Sequence, residues 1–563
     1  MDSDRPGRVL AGLGSFLAAG PGSPVDPRQQ VLELFHRVAV SVPAYRAFLR
    51  EHGVDPGAVR TFADFERLPL MTKENYHRRY PLPSRCRDGR LDGCDMIAVS
   101  SGSTGQPTIW PRSVTDELAV AARFEQVFAG SFAAAERTTL AVVCFPLGTW
   151  VGGLYTLPCV RHLAAKGYPI TVVAPGNNKA EILRVIPELA VHCDQTVLLG
   201  YPPFIKDVID TGTAAGLDWT RYAVRLVLAG EVFSEEWRDL VGRRAGMSSP
   251  CYDSASLYGT ADAGVLGTET PLSVCIRRFL AARPQAAQEL FGEARLPTLV
   301  QYDPGSRFFE TYDGTLLFSA DNGVPLVRYH IADEGGLIGY QDMLAFCGQH
   351  GFDPMAELGA LGGPGGGPGA REVRPLPFAY VFGRSHFTVS YFGANVYPEN
   401  VAVGLEQPAV SGWVTGKFVL EVAGDADGNP HLSVTVELAP GETADPARER
   451  VLAESIRTQL QRLNSEFAHY VPAGYQLPKV TLRPAGDPGY FPAGVKHRYS
   501  GERTAGREPG RSSSPCWQLT DSGNNLLVFR FQRSVRLGTG RQSAAAVSYP
   551  GLPEELMNIA RST

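Results

Sequence analysis

No cysteine pair of the C-x-x-C kind occurs in this chain, although nine cysteines are scattered through its 563 residues. Metal-ligand spacing is therefore missing, a disulfide framework is not expected, and reduced thiols in a cytosol fit best. Long apolar runs are missing too: no stretch approaches the roughly 18 residues that a membrane helix needs. The opening "MDSDRPGRVLAGLGSFLAAGPG" contains a short apolar stretch, but acids precede it and no basic region leads in. It does not read as a signal peptide. Nor is there an excess of one charge. With 53 Lys and Arg against 58 Asp and Glu, the net charge is −5, which gives no general reason to expect nucleic acid or an anionic membrane as partner. The composition that remains, 44% hydrophobic and 20% charged, is ordinary for a globular protein, and the length suits a large domain plus a smaller one. A cytoplasmic location is expected.

Between about residues 94 and 260 the pattern alternates. Short β-branched runs ("MIAVSS", "TTLAVVCF", "YPITVVAP", "TVLLGYP", "RLVLAGE") are separated by stretches that read as helices, among them Asp116 to Ala133, Asn178 to Ala190 and Ser234 to Gly246. The last opens on Ser234 followed by Glu235 and Glu236, an N-cap with acids in the first turn. Strand–helix alternation argues for an α/β domain whose sheet is covered on both faces. The Gly/Pro-rich "ALGGPGGGPGA" (Ala360 to Ala370) cannot hold a regular element and reads as a surface insertion. Beyond it, "KFVLEVAG" and "HLSVTVELAP" around the turn "DADGNP" form a hairpin. "ARERVLAESIRTQLQRLNSEFA" is a periodic helix and "KVTLRP" another strand. That makes a small α+β unit from about Arg384 to Ser500, with an Arg/Ser/Gly-rich tail, 501–563, after it.

One loop stands out. "VSSGSTGQP" (Val99 to Pro107) packs hydroxyls and glycines directly after an apolar run. Backbone N–H groups in such a loop form a nest suited to phosphate oxygens, and the hydroxyls add donors. There is no G-K-[ST] within it and no G-x-G-x-x-G spacing, so neither common nucleotide loop is present. A plain Ser/Gly turn is the other reading of these residues.

"SSGSTGQPT" (Ser100 to Thr108) resembles the phosphate loop of the adenylate-forming superfamily, and within it the phenylacetate–CoA ligase family. Four further blocks recur in that family's order. They are Val42 to Pro81, "SLYGTADAG" (Ser256 to Gly264), "NGVPLVRYHIADEGG" (Asn322 to Gly336) and "FGRSHFTVSYFGANVYPENV" (Phe382 to Val401). The resemblance implies an α/β fold: a large multi-layer N-terminal domain, 1–383, carrying the nucleotide site, and a small mobile α+β C-terminal domain, 384–500. It also implies a two-step reaction. A carboxylate attacks the α-phosphorus of ATP to give an acyl-adenylate and pyrophosphate, and the thiol of coenzyme A then takes the acyl group.

The resemblance distributes roles along the chain. Ser100, Ser101, Gly102, Ser103, Thr104 and Gly105 would follow the charge that moves onto pyrophosphate and Mg²⁺. Gly230 and Glu231, at a strand end, would flank the adenine. Tyr258, Gly259 and Thr260 would line the purine side, and Asp262 would hold Mg²⁺ where the family usually has Glu. Asp333 would accept from both ribose hydroxyls, and Arg384 would contact ribose or phosphate at the domain junction. Arg328 and Tyr329 are open between the site and a structural ion pair. His386 stands where many superfamily members carry an Asp. Lys496, in "FPAGVKHRYS", would bring positive charge to the α-phosphate when the small domain closes. Phe145, Trp150 and Tyr155, beside Gly152 and Gly153, are candidates for an aromatic-lined acyl pocket, and an aryl or arylacetic acid is the expected substrate class. Three readings stand at this point. The first is an acid–thiol ligase. The second is an adenylating enzyme that passes its product to an amine, a carrier-protein thiol or another nucleophile. The third is a non-catalytic nucleotide-binding relative.

Overall fold

Leu140 and Val142 face one way along their strand, Ala141 and Val143 the other, and all four are buried. That alternation runs through the centre of the protein. The structure, a computed structural model, describes residues 10, 12–14, 16–17, 26–99, 108–149, 151–230, 232–293, 295–361, 373–383, 389–391, 394–424, 430–464, 467–468, 471 and 473–491. Among these, β1 (Met96–Val99) and β2 (Ile109–Arg112) make a two-stranded antiparallel ribbon.

The main sheet has eleven strands. In chain order they are β3 (Thr139–Val143), β4 (Ile170–Val173), β5 (Gln195–Gly200), β6 (Val224–Ala229), β7 (Ser254–Thr260), β8 (Gly264–Thr268), β9 (Thr298–Gln301), β10 (Phe308–Tyr312), β11 (Thr315–Ala320), β12 (Leu326–Ile338) and β13 (Phe378–Gly383). Their spatial order is β10-β11-β12-β13-β9-β8-β7-β6-β5-β3-β4. The run β4-β3-β5-β6-β7 is parallel and the rest antiparallel.

Both faces of the parallel part are buried, as such strands require. On one face Ala141, Val143, Val197, Leu199, Val227 and Leu257 meet the helices Val114–Gly130 and Val151–Ala165. On the other, Leu140, Val142, Leu198, Leu226 and Leu228 meet Ile182, Ile186, Val208, Ile209, Trp237 and Val241. The expected helices are present as Val114–Gly130, Lys179–Leu189 and Glu235–Ala245. Ser234 caps the last by accepting from the Trp237 N–H at 3.0 Å. One element differs from expectation. "MIAV" is not a strand of the main sheet but half of the ribbon β1/β2, whose two strands flank the hydroxyl-rich loop in the sequence. Of the Gly/Pro-rich insertion, Ala360 and Leu361 end the helix Pro354–Leu361, and the remainder lies outside the described residues.

A separate core lies further along the chain. After β14 (Val389–Tyr391) and β15 (Ala394–Val396), the strands β16 (Val414–Gly424), β17 (Pro430–Leu438) and β18 (Lys479–Arg483) form a three-stranded sheet. The helices Pro398–Leu405 and Pro446–Leu463 cover it through Val401, Leu405, Leu452, Ile456 and Leu460. The expected hairpin, long helix and last strand are all here. All described residues belong to the compact unit Met1–Glu502. Among them no helix is long and apolar enough to cross a membrane.

Candidate active site at the strand ends

The carboxyl ends of the parallel strands β3, β5, β6 and β7 are where an open α/β sheet places a ligand. A row of rings and glycines occupies them. Phe145 follows β3, and its ring meets the ring of Tyr201, which follows β5, edge to face at 5.1 Å. Gly230 follows β6 with φ of +85°, and a Cβ there would stand 2.7 Å from the Tyr201 ring. Only glycine satisfies both the backbone angle and the contact. Gly152 serves a similar purpose: the space beside it is filled by the Phe145 ring, 3.2 Å from where a Cβ would lie. Phe145 and Tyr155 are both buried, and burial pushes the Tyr155 hydroxyl pKa upward.

Two sequence blocks meet beside this row, and they exchange bonds crosswise. Tyr258, on β7, donates its hydroxyl to Asp333 Oδ2 on β12 at 2.8 Å. Tyr329, on β12, donates its hydroxyl to Asp262 Oδ2, just past β7, at 2.7 Å. The backbone is shaped to allow this. β7 slips register against β8 between Tyr258 and Gly259, and such irregularities re-aim side chains next to sites. On β12, Arg328 and Ala332 hold φ of +48° and +60°, left-handed values that cost a non-glycine residue about 1–3 kcal/mol each. Ala332 directly precedes Asp333. Thr260 turns its hydroxyl inward to accept the Ala263 N–H at 3.2 Å.

Asp262 has a second partner. The Lys73 ammonium lies 3.3 Å from its Oδ1, while the carboxylate itself is almost fully buried. Lys73 begins the one-turn helix Lys73–His77, held by a reciprocal cap between Thr72 and Asn75. Next to it, Arg85 donates to His77 Nδ1 at 2.7 Å. Burial, with Arg85, Lys73 and Arg112 nearby, keeps the His77 ring neutral well below its ordinary pKa. Among the described residues no three His, Cys, Asp or Glu side chains cluster as a metal site would need. An Asp262 paired with Lys73 and accepting from Tyr329 does not fit a resident cation.

No family model matches the chain. It is 22% identical over 452 residues to phenylacetate-coenzyme A ligase from Aromatoleum evansii, spanning 78% of this chain and 88% of that protein. It is 25% identical over 302 residues to phenylacetate-coenzyme A ligase from Thermus thermophilus, spanning 52% of this chain and 60% of that one. The crystal structure of 2-hydroxyisobutyryl-CoA ligase in the postadenylation state, in complex with R3-HIB-AMP, shares the fold. Its TM-score is 0.60 at 14% identity, over 85% of this chain and 89% of that one. The chain shares the fold of that CoA ligase and is similar in sequence to the two phenylacetate-coenzyme A ligases.

In this chain Gly230, Tyr258, Gly259, Thr260 and Asp262 stand at the ends of β6 and β7, and Asp333 meets them from the middle of β12. Phe145 stands at the end of β3, and Tyr155 lies behind on the helix Val151–Ala165. Ser100, Ser101, Gly102, Ser103, Thr104, Gly105, Trp150, Glu231, Arg384, His386 and Lys496 lie outside the described residues. Arg328 takes the structural side of its two readings. It pairs with Glu310 at 3.0 Å and donates to the carbonyls of Glu66 and, at 2.8 Å, Leu68.

Three cationic residues escaped the sequence reading. Lys73 sat inside a recognised block without an assigned role. Arg112, just past the hydroxyl-rich loop, is fully buried and holds the Ala261 and Asp262 carbonyls. Arg295 lies between the rings of Phe382, at 4.2 Å, and Tyr397, at 3.8 Å, and pairs with Glu334 beside Asp333 at 3.1 Å. It thus links β12 to the end of β13 and to Tyr397, which precedes the helix Pro398–Leu405. The only sequence signals were a basic residue beside a motif and, for Lys73, a T-x-x-N cap.

Proposed function

We propose that this chain activates an aryl or arylacetic acid with ATP to an acyl-adenylate and transfers the acyl group to the thiol of coenzyme A, releasing AMP and pyrophosphate. The observation that carries this reading is the crossed exchange Tyr258–Asp333 and Tyr329–Asp262. It brings two motifs of the adenylate-forming pattern into one site at the carboxyl ends of the strands. The curated relatives are named for this activity, and the fold neighbour was solved with an acyl-adenylate.

Within this reading the Asp333 carboxylate, aligned by the Tyr258 hydroxyl, accepts from the ribose hydroxyls. Gly230 leaves its strand end low enough for the purine to lie across it, next to Glu231. Ser100 to Gly105 donate to the triphosphate, and Ser103 and Thr104 follow the charge as pyrophosphate leaves. The carboxylate of the acid displaces pyrophosphate at the α-phosphorus, so one P–O bond forms as another breaks. In the second step the thiolate sulfur takes the acyl carbon, AMP leaves, and the thiol proton passes to solvent. Magnesium enters with ATP as part of the substrate. Phe145, Trp150 and Tyr155 are assigned to the acyl pocket, and Arg384 and Lys496 to the small domain's side of the nucleotide. The division into 1–383, 384–500 and 501–563 and a cytoplasmic setting belong to the same proposal.

The test is pyrophosphate release from ATP across aryl, arylacetic and fatty acids, with and without coenzyme A. Acid-dependent release with formation of an acyl-CoA is expected. ATP binding without acid-dependent release would leave the non-catalytic reading. Release followed by conjugation only to an amine or a carrier-protein thiol would move the acceptor away from coenzyme A.

A further inference from the structure

Behind the turn that carries Thr260 and Asp262 lie two buried arginines that, among the described residues, make no ion pair with a carboxylate, although the buried Asp116 is near enough to interact with both. Arg112, on β2, is wholly inaccessible, and its Nη2 donates to the carbonyls of Ala261 at 2.6 Å and Asp262 at 2.7 Å. Arg307, just before β10, donates through Nη2 to the next carbonyl, that of Ala263, at 3.3 Å. Three successive carbonyls are therefore turned toward two guanidiniums from different parts of the chain. Among the described residues no hydrogen-bond partner reaches the Nε of either.

The acids nearby are engaged elsewhere. Asp116 accepts from the backbone N–H groups of Ser113 at 2.7 Å and Gly323 at 3.0 Å, and Asp303 pairs with Arg123 at 3.0 Å. The Asp262 charge is answered by Lys73. Arg112, Arg307 and Asp116 together leave one positive charge in excess in a region closed to water. Burial, with Arg123 nearby, pulls the Arg307 guanidinium down to about 10. A buried cation held mainly by neutral carbonyls costs stability against an apolar side chain of similar volume.

The effect on the turn follows from the geometry of the peptide group. Each carbonyl points opposite to the N–H of the following residue. With the carbonyls of 261, 262 and 263 turned to the arginines, the N–H groups of Asp262 and Ala263 are turned to the opposite side. There Thr260 bonds the Ala263 N–H and Tyr329 bonds the Asp262 carboxylate. That side faces the crossed motifs. Arg112 also belongs to the strand that leaves the hydroxyl-rich loop, so one residue ties the loop's exit to the acidic turn.

We propose that Arg112, assisted by Arg307, is a positioning residue for the nucleotide: it braces from behind the Thr260–Ala263 turn, which carries the Asp262 carboxylate and the Thr260 hydroxyl. This rests on the ligase reading and adds to it a structural basis for recognising the nucleotide. One guanidinium nitrogen, Nη2, donates to both adjacent carbonyls, and its N–H groups are fixed in the plane of the group, whereas the three donors of an ammonium turn freely about the chain.

The experiment compares Arg112→Lys, Arg112→Gln and Arg307→Gln with the unaltered protein. It measures the KM for ATP, the KM for the acid and kcat in pyrophosphate release, ATP affinity by calorimetric titration, and the thermal midpoint. The KM and dissociation constant for ATP are expected to rise about tenfold in Arg112→Lys, further in Arg112→Gln and about threefold in Arg307→Gln, as for loss of charge-assisted bonds. The KM for the acid stays within about twofold, the split that separates positioning from general damage. Unchanged ATP affinity in folded Arg112→Lys, or equal rises for ATP and acid, overturns the proposal. If Arg112→Gln does not fold, Arg112→Lys and Arg307→Gln carry the test. Should the unaltered protein bind ATP yet release no pyrophosphate with any acid, the ligase reading fails while the ATP titrations still decide the brace.

Discussion

The nucleotide-side site and the contact between the two cores are built on different terms. At the site, the polar side chains are tied to one another from the main sheet and from the elements around it: Tyr258 to Asp333, Tyr329 and Lys73 to Asp262, and Arg112 to the turn beneath. Apart from the half-buried Lys73 these groups are buried, and their partners come from several elements. The contact between the small sheet and the large one is sparser. Lys206 donates to Asp210 at 2.9 Å and to the Val414 carbonyl at 3.0 Å. Arg244 reaches Asp210 and, at 2.9 Å, the Ser411 carbonyl, and Ser234 donates its hydroxyl to Glu406. The site is locked by mutual satisfaction. The contact is held by a few long side chains and one acid, and burial pushes that acid's pKa up to about 8 against the Ser234 bond. A buried network of satisfied groups keeps one geometry, while a few bonds to carbonyls can be exchanged at little cost.

The sharpest way to break this contrast is at Asp333. Asp333→Ala should lower kcat/KM for ATP by about a hundredfold or more while leaving the thermal midpoint close to that of the parent, because a buried charge-assisted contact to substrate is lost. A variant with full activity would remove Asp333 from the site. Tyr258→Phe deletes only the hydroxyl that aligns Asp333, and a loss of about tenfold in kcat/KM for ATP is expected. Equal losses for the two variants would mean that Tyr258 itself touches the nucleotide.

At the contact the expected effects are smaller. Lys206→Met exchanges a buried ammonium for an apolar chain of similar length, and the change in unfolding free energy should stay within about 1–2 kcal/mol. Chemical denaturation measures it. A larger loss would show the contact to be as tightly coupled as the site.

Glu406 offers the last test. Its pKa is raised from an ordinary 4.5 to about 8 by burial and by Glu236, against the lowering effects of Ser234, Arg277 and Lys206. The folded state therefore holds a proton that the unfolded chain has lost between these values. Stability from this group is fully present below pH 4.5, falls as pH rises through the interval, and is spent above pH 8. The difference in thermal midpoint between the parent and Glu406→Gln should shift across that window and be flat above it. A difference independent of pH would take Glu406 out of the contact.

Much of this molecule was legible before any coordinates. The β-branched runs between 139 and 229 became β3 to β6, because alternating burial on two faces leaves a pattern that composition alone reveals. Ser234 with its acids marked a helix start, and the hairpin and long helix of the small sheet followed from their periods. "MIAV" was misplaced for a physical reason. A short apolar run carries no information on which strand it pairs with, and its partner Ile109–Arg112 lies across the hydroxyl-rich loop. The motif residues Tyr258, Asp262 and Asp333 were visible as members of blocks. Their crossed bonding was not, since it depends on the left-handed turns at Arg328 and Ala332 that no local preference predicts.

The sequence by itself determined the alternation of strands and helices, the hydroxyl-rich loop and the order of the motif blocks. These are matters of neighbouring residues, and local periodicity and side-chain chemistry suffice. Only the tertiary structure decided which charges answer one another. Arg112 meets carbonyls 149 and 150 residues away, Lys73 meets Asp262, and Arg295 sits between the rings of Phe382 and Tyr397. Such pairings are set by where the strands of one sheet end in space, and distance along the chain carries no trace of that.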